Sequence, residues 1–187
     1  MTYERRQDTA ALIGFASNTR RNIPWNNPNI DVLGINEGNS FKWWKQKEEN
    51  IAAWFQLHKR ESFMRPNNHN DPKHAEWLKQ KHPFPIYMQD VYPDIPSSVK
   101  FPIEDIVKEF GGYWRSTMVY IIAWAYLVGY KRLELYGFEM ASDAEYWGQR
   151  ANGCYIIGKV KGKGMDIYVP PDRKSTRLNS SHASPSR

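Results

Sequence analysis

Short apolar runs alternate with helical patterns along the chain, and most of the runs end in small or polar residues. Short runs rich in β-branched and aromatic residues, bounded by turn residues, are typical of buried strands. The predicted strands are 10–15, 30–35, 51–57, 84–88 and 132–136, with a late pair, 154–157 and 165–169, around the Gly/Lys turn 161–164.

Three helical patterns lie between these runs. Residues 71–80 carry Pro72 in the first turn, where the missing N–H is harmless, and residues 103–110 follow a proline in the same way. Residues 116–127 are apolar nearly all round and precede Gly129, a typical helix end, so this helix is expected to be buried against a sheet. Strands that alternate with helices predict an α/β fold: a three-layer, Rossmann-like, mostly parallel sheet with helices on both faces.

Composition narrows the class of protein. The 187 residues, 41% hydrophobic and 25% charged, suit one domain of ordinary size. The longest apolar run, 118–128, is about half of what a membrane span needs, and the first eight residues show no apolar segment typical of a secretory signal. A single cysteine, Cys154, excludes a disulfide framework and a cysteine-based zinc site. We therefore expect a soluble, cytoplasmic protein.

The C-terminal stretch changes the charge balance. Residues 172–182 resemble one reading frame of a common sequencing-library adapter, and a natural basic, serine-rich tail is the alternative. The formal net charge is +6, of which residues 172–187 supply +3 through Arg173, Lys174, Arg177 and Arg187 against Asp172. Residues 1–171 keep the other +3, which is weak support for nucleic-acid binding. We expect one Rossmann-like domain over 1–171, open to continuation past its last residue in the natural gene, and an artefactual disordered tail over 172–187.

Polar residues follow the predicted strands at the point where each strand ends. In an open parallel sheet, ligands bind beyond these carboxyl ends, so the polar groups are expected to converge on one pocket. For each single residue an ordinary polar loop is the alternative. The residues are Gly14, Ser17, Asn18, Thr19 and Arg20 after the first strand, Asn36 and Glu37 after the second, His58, Gln89 with Asp90, and finally Gly137 and Glu139.

The loop after the first strand is the best candidate for phosphate binding. Gly14 allows close approach of the backbone, Ser17 and Thr19 offer hydroxyls, and Arg20 can bind phosphate bidentately. The loop is neither a Walker A motif nor a G-x-G-x-x-G motif. An ordinary turn with a solvated Arg20 is the alternative.

The histidines divide into one candidate base and three others. His58 ends a strand close to Glu61 and could act as a general base, or it could be a partly buried histidine bonded to a carbonyl. His69, His74 and His82 surround a Pro/Asn/Lys-rich segment with no metal-binding spacing, which indicates a solvated loop and no metal site.

Two further groups could bind a ligand. Ser116 begins the buried helix, where its hydroxyl could cap the helix or help to hold an anion beside Arg115. Glu145 and Gln149 are four residues apart and would share a helix face, with Arg150 adjacent. That face is either a substrate-recognition surface or an exposed helix with local pairs.

Several passages resemble known proteins. Residues 11–20, 35–37, 54–58 and 85–89, with Glu145-Tyr146 and Gln149-Arg150, resemble a group of uncharacterised phage and metagenomic Rossmann-like proteins. The Ser-started helix, then Gly129-Tyr130-Lys131 and Tyr136-Gly137-Phe138-Glu139, is similar to the second half of bacterial sialyltransferases and of pterin pyrophosphokinase-like proteins. Glu139 stands where those families have Asp, and the first loop lacks their Gly-Pro-Ser.

These observations favour a nucleotide-binding transferase acting on a nucleotide-activated sugar or a related diphosphate. Ser17, Thr19 and Arg20 would hold phosphate, Asn36 and Gln89 would orient the nucleotide or acceptor, His58 would be the base, and Glu139 would bind a hydroxyl. The expected ligand is a small nucleotide or nucleotide sugar, with no metal, nucleic-acid or membrane partner. The alternatives are a phage protein that captures a nucleotide without catalysis and, third, a DNA-modification accessory protein based on the lysines of 42–47.

Overall fold

The structure is a computed structural model, and it describes residues 3–40, 50–64, 72–112, 116–138 and 144–171. Its strands are β1 (Thr9–Ile13), β2 (Ile30–Ile35), β3 (Ile51–Gln56), β4 (Ile86–Met88), β5 (Ser98–Lys100), β6 (Arg132–Tyr136) and β7 (Asp166–Tyr168). Its α-helices are α1 (Ser17–Arg20), α2 (Arg60–Phe63), α3 (Pro72–Leu78), α4 (Ile103–Phe110), α5 (Thr117–Leu127) and α6 (Ala144–Gly162), and a 3-10 helix spans Asn36–Ser40.

The described strands form one seven-stranded sheet in the order β5-β4-β3-β2-β1-β6-β7. Every neighbouring pair is parallel, which confirms the predicted Rossmann-like α/β fold. The chain builds outward from β1 to β5 and then returns to the other side of β1 with β6. The strand order therefore reverses between β1 and β6, and the carboxyl ends of these two strands flank a topological switch point.

Helices cover both faces of the sheet, as predicted. Alternate residues of each strand point to opposite faces, so that Leu12 and Phe55 lie in the core beneath α4, α5 and α6, whereas Ile13 and Trp54 lie in a second core with α3. The Trp54 indole lies against Gly34 of β2, where a Cβ would be only 2.2 Å from the ring. The glycine is thus required by the close approach of the indole to the sheet.

The end of the chain differs from the prediction. Residues 154–157 were predicted as a strand but belong to α6, and β7 pairs in parallel with β6 and is no partner of 154–157 in a hairpin. Ile156 and Val160 are buried while Cys154 and Tyr155 are exposed, which is the four-residue spacing of a helix. Residues 154–157 resemble a strand when they are considered alone, because a run of four residues is too short to show helical periodicity.

A buried carboxylate fixes the N-terminal segment to the amino edge of the sheet. Asp31, near the start of β2, is 1% exposed and accepts hydrogen bonds from the backbone N–H groups of Arg6 and Gln7 and from the Tyr130 hydroxyl. The Tyr130 hydroxyl lies 2.8 Å from that of Tyr3. Burial raises the pKa of Tyr3 to about 12 and also raises the pKa of Tyr130. We call Tyr3, Arg6, Asp31 and Tyr130 the amino-edge network.

Within the described segments, no helix is long and apolar enough to cross a membrane.

Candidate functional site at the carboxyl edge

The loops that follow β1 and β6 meet backbone to backbone at the switch point. The N–H of Gly14 donates to the Tyr136 carbonyl at 2.7 Å, and the N–H of Ala16 donates to the Gly137 carbonyl at 2.8 Å. A Cβ on Gly14 would lie 2.5 Å from the Gly137 oxygen, and Gly137 itself has a φ of 74°. A Cβ at either position would thus clash with the facing backbone, and the positive φ of Gly137 also favours glycine. The junction therefore requires glycine at both positions.

Thr19 and Arg20 stabilise the same junction. The buried Thr19 hydroxyl accepts a hydrogen bond from the Gly137 N–H at 2.8 Å, which joins α1 to the end of β6. The Arg20 guanidinium donates to the Phe15 carbonyl at 2.6 Å, and partial burial lowers the pKa of Arg20. This contact ties Arg20 to its own loop, and phosphate binding by Arg20 stays a prediction. The side chains of Ser17 and Asn18 lie outside the described residues, although their backbone forms the single turn α1.

Asn36 has an unusual backbone at the end of β2. Its φ of 45° makes it the one non-glycine residue of the described segments in the left-handed region, which asparagine tolerates better than most residues. Its carbonyl accepts a hydrogen bond from the Trp54 indole at 3.0 Å, which holds the turn against the core. The Asn36 side-chain Oδ1 is buried and has no hydrogen-bond partner. Such strain and incomplete pairing are typical of functional sites.

A buried polar network lies next to Asn36, at the end of β3. Gln56 and His74 are both 0% exposed, and their Nε2 atoms are 2.9 Å apart. His74 Nδ1 lies 2.6 Å from Asn39 Oδ1, and Gln56 Nε2 lies 3.5 Å from Glu37 Oε1. We call Asn39, His74, Gln56 and Glu37 the amide–histidine network.

The network selects one tautomer of His74. Because Asn39 presents an acceptor, the proton of the neutral imidazole lies on Nδ1, which donates to Asn39. Nε2 then accepts a hydrogen bond from the Gln56 amide. The Gln56 carbonyl is left to accept the N–H of His58 at 3.4 Å, so the carboxamide has a defined orientation.

His74 and His82 are buried, so the predicted solvated loop is wrong for both. His82 donates from Nε2 to the Trp77 carbonyl at 2.8 Å and its ring packs 4.1 Å from that of Trp77. The four-residue spacing of His74 and Leu78 on α3 is the signal that could have placed His74 in the core, because both residues are 0% exposed. Gln56 was missed because it closes an apolar run. His69 lies outside the described residues.

The candidate base and its neighbours lie at the rim. His58 is exposed, and Gln89, also exposed, donates to the Leu57 carbonyl at 2.8 Å across the ends of β3 and β4. Arg60 forms an ion pair with Asp94 at 2.6 Å, and this hydrogen bond keeps the pKa of Asp94 below its usual value.

The described residues contain no cluster of three or more His, Cys, Asp or Glu that could hold a metal ion.

The predicted site residues near the N-terminal ends of α5 and α6 have few described side-chain contacts. Ser116 precedes α5 in an extended conformation, and its hydroxyl makes no capping hydrogen bond. The Ser116 hydroxyl is therefore not used to cap the helix. Because α5 connects two parallel strands, its N-terminal end lies toward the carboxyl edge of the sheet. Glu139 and Arg115 lie outside the described residues. Glu145 and Gln149 belong to α6 with side chains that are not described, and Arg150 is half-buried.

The chain is similar to solved sialyltransferases of Campylobacter jejuni. It is 18% identical to an α-2,3-sialyltransferase solved in its apo form, with a TM-score of 0.62 and coverage of 94% of this chain and 80% of that one. It is 14% identical to sialyltransferase CstII solved with the substrate analogue CMP-3FNeuAc, with a TM-score of 0.56 and coverage of 86% and 79%. CstII was also solved with a trisaccharide acceptor and CMP, and the TM-score there is 0.52 at 14% identity, with coverage of 86% and 80%.

No protein-family model and no curated protein sequence matches the chain. At these identities, the structural neighbours show a shared fold over most of both chains. The distant similarity to sialyltransferases is confirmed at that level, whereas the phage and pterin pyrophosphokinase resemblances and the adapter origin of the tail stay predictions.

Proposed function

We propose that this protein is a nucleotide-binding transferase whose donor is a nucleotide-activated sugar or a related diphosphate. The phosphates would lie at the switch point between β1 and β6, and the activated group would extend over the ends of β2 and β3. The small nucleotide ligand proposed for this edge has its counterpart in the neighbours, which were solved with CMP and CMP-3FNeuAc.

One observation carries the proposal. At the switch point, Gly14 and Gly137 bring two backbones together with no side chain between them, next to the single turn α1. In open parallel sheets, ligands bind in the crevice at such a switch point, beyond the carboxyl ends of the strands. The N–H groups of Gly14 and Ala16 are used within the junction, so side chains of the loop after β1 would hold the phosphates. At the amino edge, by contrast, the buried Asp31 carboxylate already accepts hydrogen bonds from Arg6, Gln7 and Tyr130.

Each predicted residue keeps a defined role in the proposal. Gly14, Ser17, Asn18, Thr19, Arg20 and Gly137 would surround the phosphates, with Ser116 adding a hydroxyl from α5. Asn36, Glu37 and Gln89 would orient the nucleotide or the activated group, and His58 would remove the acceptor proton. Glu139 would bind a hydroxyl, and Glu145, Gln149 and Arg150 would contact the substrate.

The test is a thermal-shift panel of the full chain against nucleotides, nucleotide sugars and dinucleotides. A ligand present at a hundred times its Kd stabilises a fold by about 2.7 kcal/mol, which is readily seen. We expect stabilisation by one class of nucleotide, followed by turnover with a matched acceptor. A folded protein that no member of the panel stabilises would contradict the proposal.

The exposed position of His58 favours a second candidate function, nucleotide capture without turnover. A catalytic base is usually oriented by a third group, and in the described segments no carboxylate forms an ion pair with the exposed His58. His58→Ala separates the two functions, with exposed Lys59→Ala as the matched control. Loss of turnover with unchanged nucleotide binding supports the transferase, whereas binding without turnover in the unmodified protein supports capture.

A further inference from the structure

Asn36, Glu37 and Ser40 follow the end of β2, with the buried Gln56 of β3 behind them, and we call this region the acceptor corner. Asn36 is 8% exposed, and its Oδ1 and the Ser40 Oγ are buried without a hydrogen-bond partner. Buried polar atoms in native proteins are nearly always paired, so two orphans beside a candidate ligand site indicate a position that ligand atoms or water complete.

Gln56, which is 0% exposed, supports this corner from the core. Both hydrogens of its amide point toward the protein, one to His74 at 2.9 Å and the other to Glu37 at 3.5 Å. Its carbonyl faces the chain that leaves β3, where it meets the N–H of His58 at 3.4 Å. The carboxamide is therefore fully used within the protein, and its amide holds the Glu37 side chain from behind.

Glu37 gives the corner a negative charge. Its side chain is half-buried, and it forms no ion pair with any basic residue of the described segments. The 3.5 Å contact from Gln56 is a long hydrogen bond and neutralises no charge. The corner thus combines the Asn36 Oδ1 acceptor and the Ser40 hydroxyl with one carboxylate.

We infer that the acceptor corner binds a neutral, hydroxyl-rich part of the ligand and selects against a carboxylate at that position. Hydroxyl groups donate hydrogen bonds to oxygen acceptors, whereas a carboxylate only accepts and would be repelled by Glu37. Rejection by an uncompensated like charge is a direct route to specificity. The inference rests on the proposed nucleotide-sugar site, and it makes the ligand of this protein different in charge from the sialic acid analogue of the neighbouring structure.

A matched pair of probes tests this: CMP-sialic acid and its methyl ester, which differ in the charge of one carboxyl group. Both are titrated calorimetrically into the full chain. We expect the ester to bind about tenfold more tightly, the effect of one like-charge contact at a partly hydrated edge. Glu37→Gln should reduce the difference to about twofold by improving the binding of the acid, whereas Glu61→Gln, which removes an exposed acid from α2, should leave it unchanged.

The outcomes are distinct. Equal or tighter binding of the acid by the unmodified protein would overturn the inference while leaving the nucleotide-sugar site in place, and this comparison needs no variant. A tenfold preference that persists in Glu37→Gln would also overturn it, because another group would then be the selector. Failure of every nucleotide sugar to bind the folded protein would overturn the proposed function, and the inference with it.

Discussion

The two edges of the sheet treat buried polar groups in opposite ways. At the amino edge, the Asp31 carboxylate accepts hydrogen bonds from two backbone amides, from the Arg6 guanidinium and from Tyr130. At the carboxyl edge, Asn36 holds a left-handed backbone and keeps an unpartnered buried oxygen. A saturated network stabilises the fold, whereas an incomplete one costs stability. We propose that the polar groups of the amino edge are structural and that those of the carboxyl edge serve binding.

The largest expected effect is at the amino edge. Asp31→Ala would remove the carboxylate that accepts from the Tyr130 hydroxyl and from two backbone N–H groups, and it would leave Arg6 unpaired. We expect a loss of about 4 kcal/mol in the free energy of unfolding, because three hydrogen bonds to one buried carboxylate are lost. The half-exposed Arg6 side chain adds little to this loss. Urea denaturation measures it, with Asp8→Ala, at an exposed carboxylate, as the control. A loss below about 1 kcal/mol would mean that the amino-edge network is not structural.

The glycine junction at the switch point is next in size. Gly137→Ala combines a φ of 74° with a Cβ only 2.7 Å from the Gly14 oxygen, so we expect a loss of about 3 kcal/mol. Gly164→Ala is the matched control, because Gly164 has a φ of 96° but open space around it, and should cost about 1 kcal/mol. Equal effects at the two sites would show that the loops after β1 and β6 do not press together.

The amino-edge network is also expected to make the free energy of unfolding depend on pH. The pKa of Tyr3 is raised from 10.0 to about 12, so the folded protein retains a proton that the unfolded chain releases. The stabilisation is fully present below pH 10, the unfolded value, and is lost as the pH rises toward about 12. Unfolding free energies measured across this range should fall more steeply for the unmodified protein than for Tyr3→Phe. Parallel curves would contradict the burial of this hydroxyl.

The smallest and most informative effect is at Asn36. Asn36→Gly relieves the left-handed backbone and removes the orphaned Oδ1, so we expect a gain of about 0.5 to 1 kcal/mol in stability. Nucleotide-sugar binding should weaken at the same time, since the residue is proposed to orient the ligand. Paired thermal unfolding and calorimetric titrations check both effects. A clear loss of stability would mean that Asn36 is structural, like Asp31.

The predicted architecture was confirmed where local pattern determines structure. The strands near 10–15, 30–35, 51–57 and 132–136 follow from short apolar runs, and α5 follows from an apolar surface that ends at Gly129. The short edge strand β5 was not predicted, since Ser98–Lys100 contains one apolar residue. A single apolar residue gives no periodicity to detect.

The candidate site was only partly accessible from sequence. Asn36 and Gly137 were found because each follows a strand, where parallel topology collects ligand-binding groups. His74 and Asn39 were not assigned to the site, since their roles depend on long-range contacts: His74 contacts Gln56, 18 residues away, and Asn39, 35 residues away. The spacing of His74 and Leu78 could place His74 in the core, but it cannot reveal which polar side chains the ring meets there.

The most direct measurement is amide NMR of the full chain during titration with the nucleotide that stabilises it most in the thermal-shift panel. Binding at the carboxyl edge predicts chemical-shift changes at Gly14, Asn36 and Gly137, with Asp31 and Tyr130 unchanged. Changes concentrated at Asp31 and Tyr130, with the glycine junction silent, would contradict the assignment of function to the carboxyl edge.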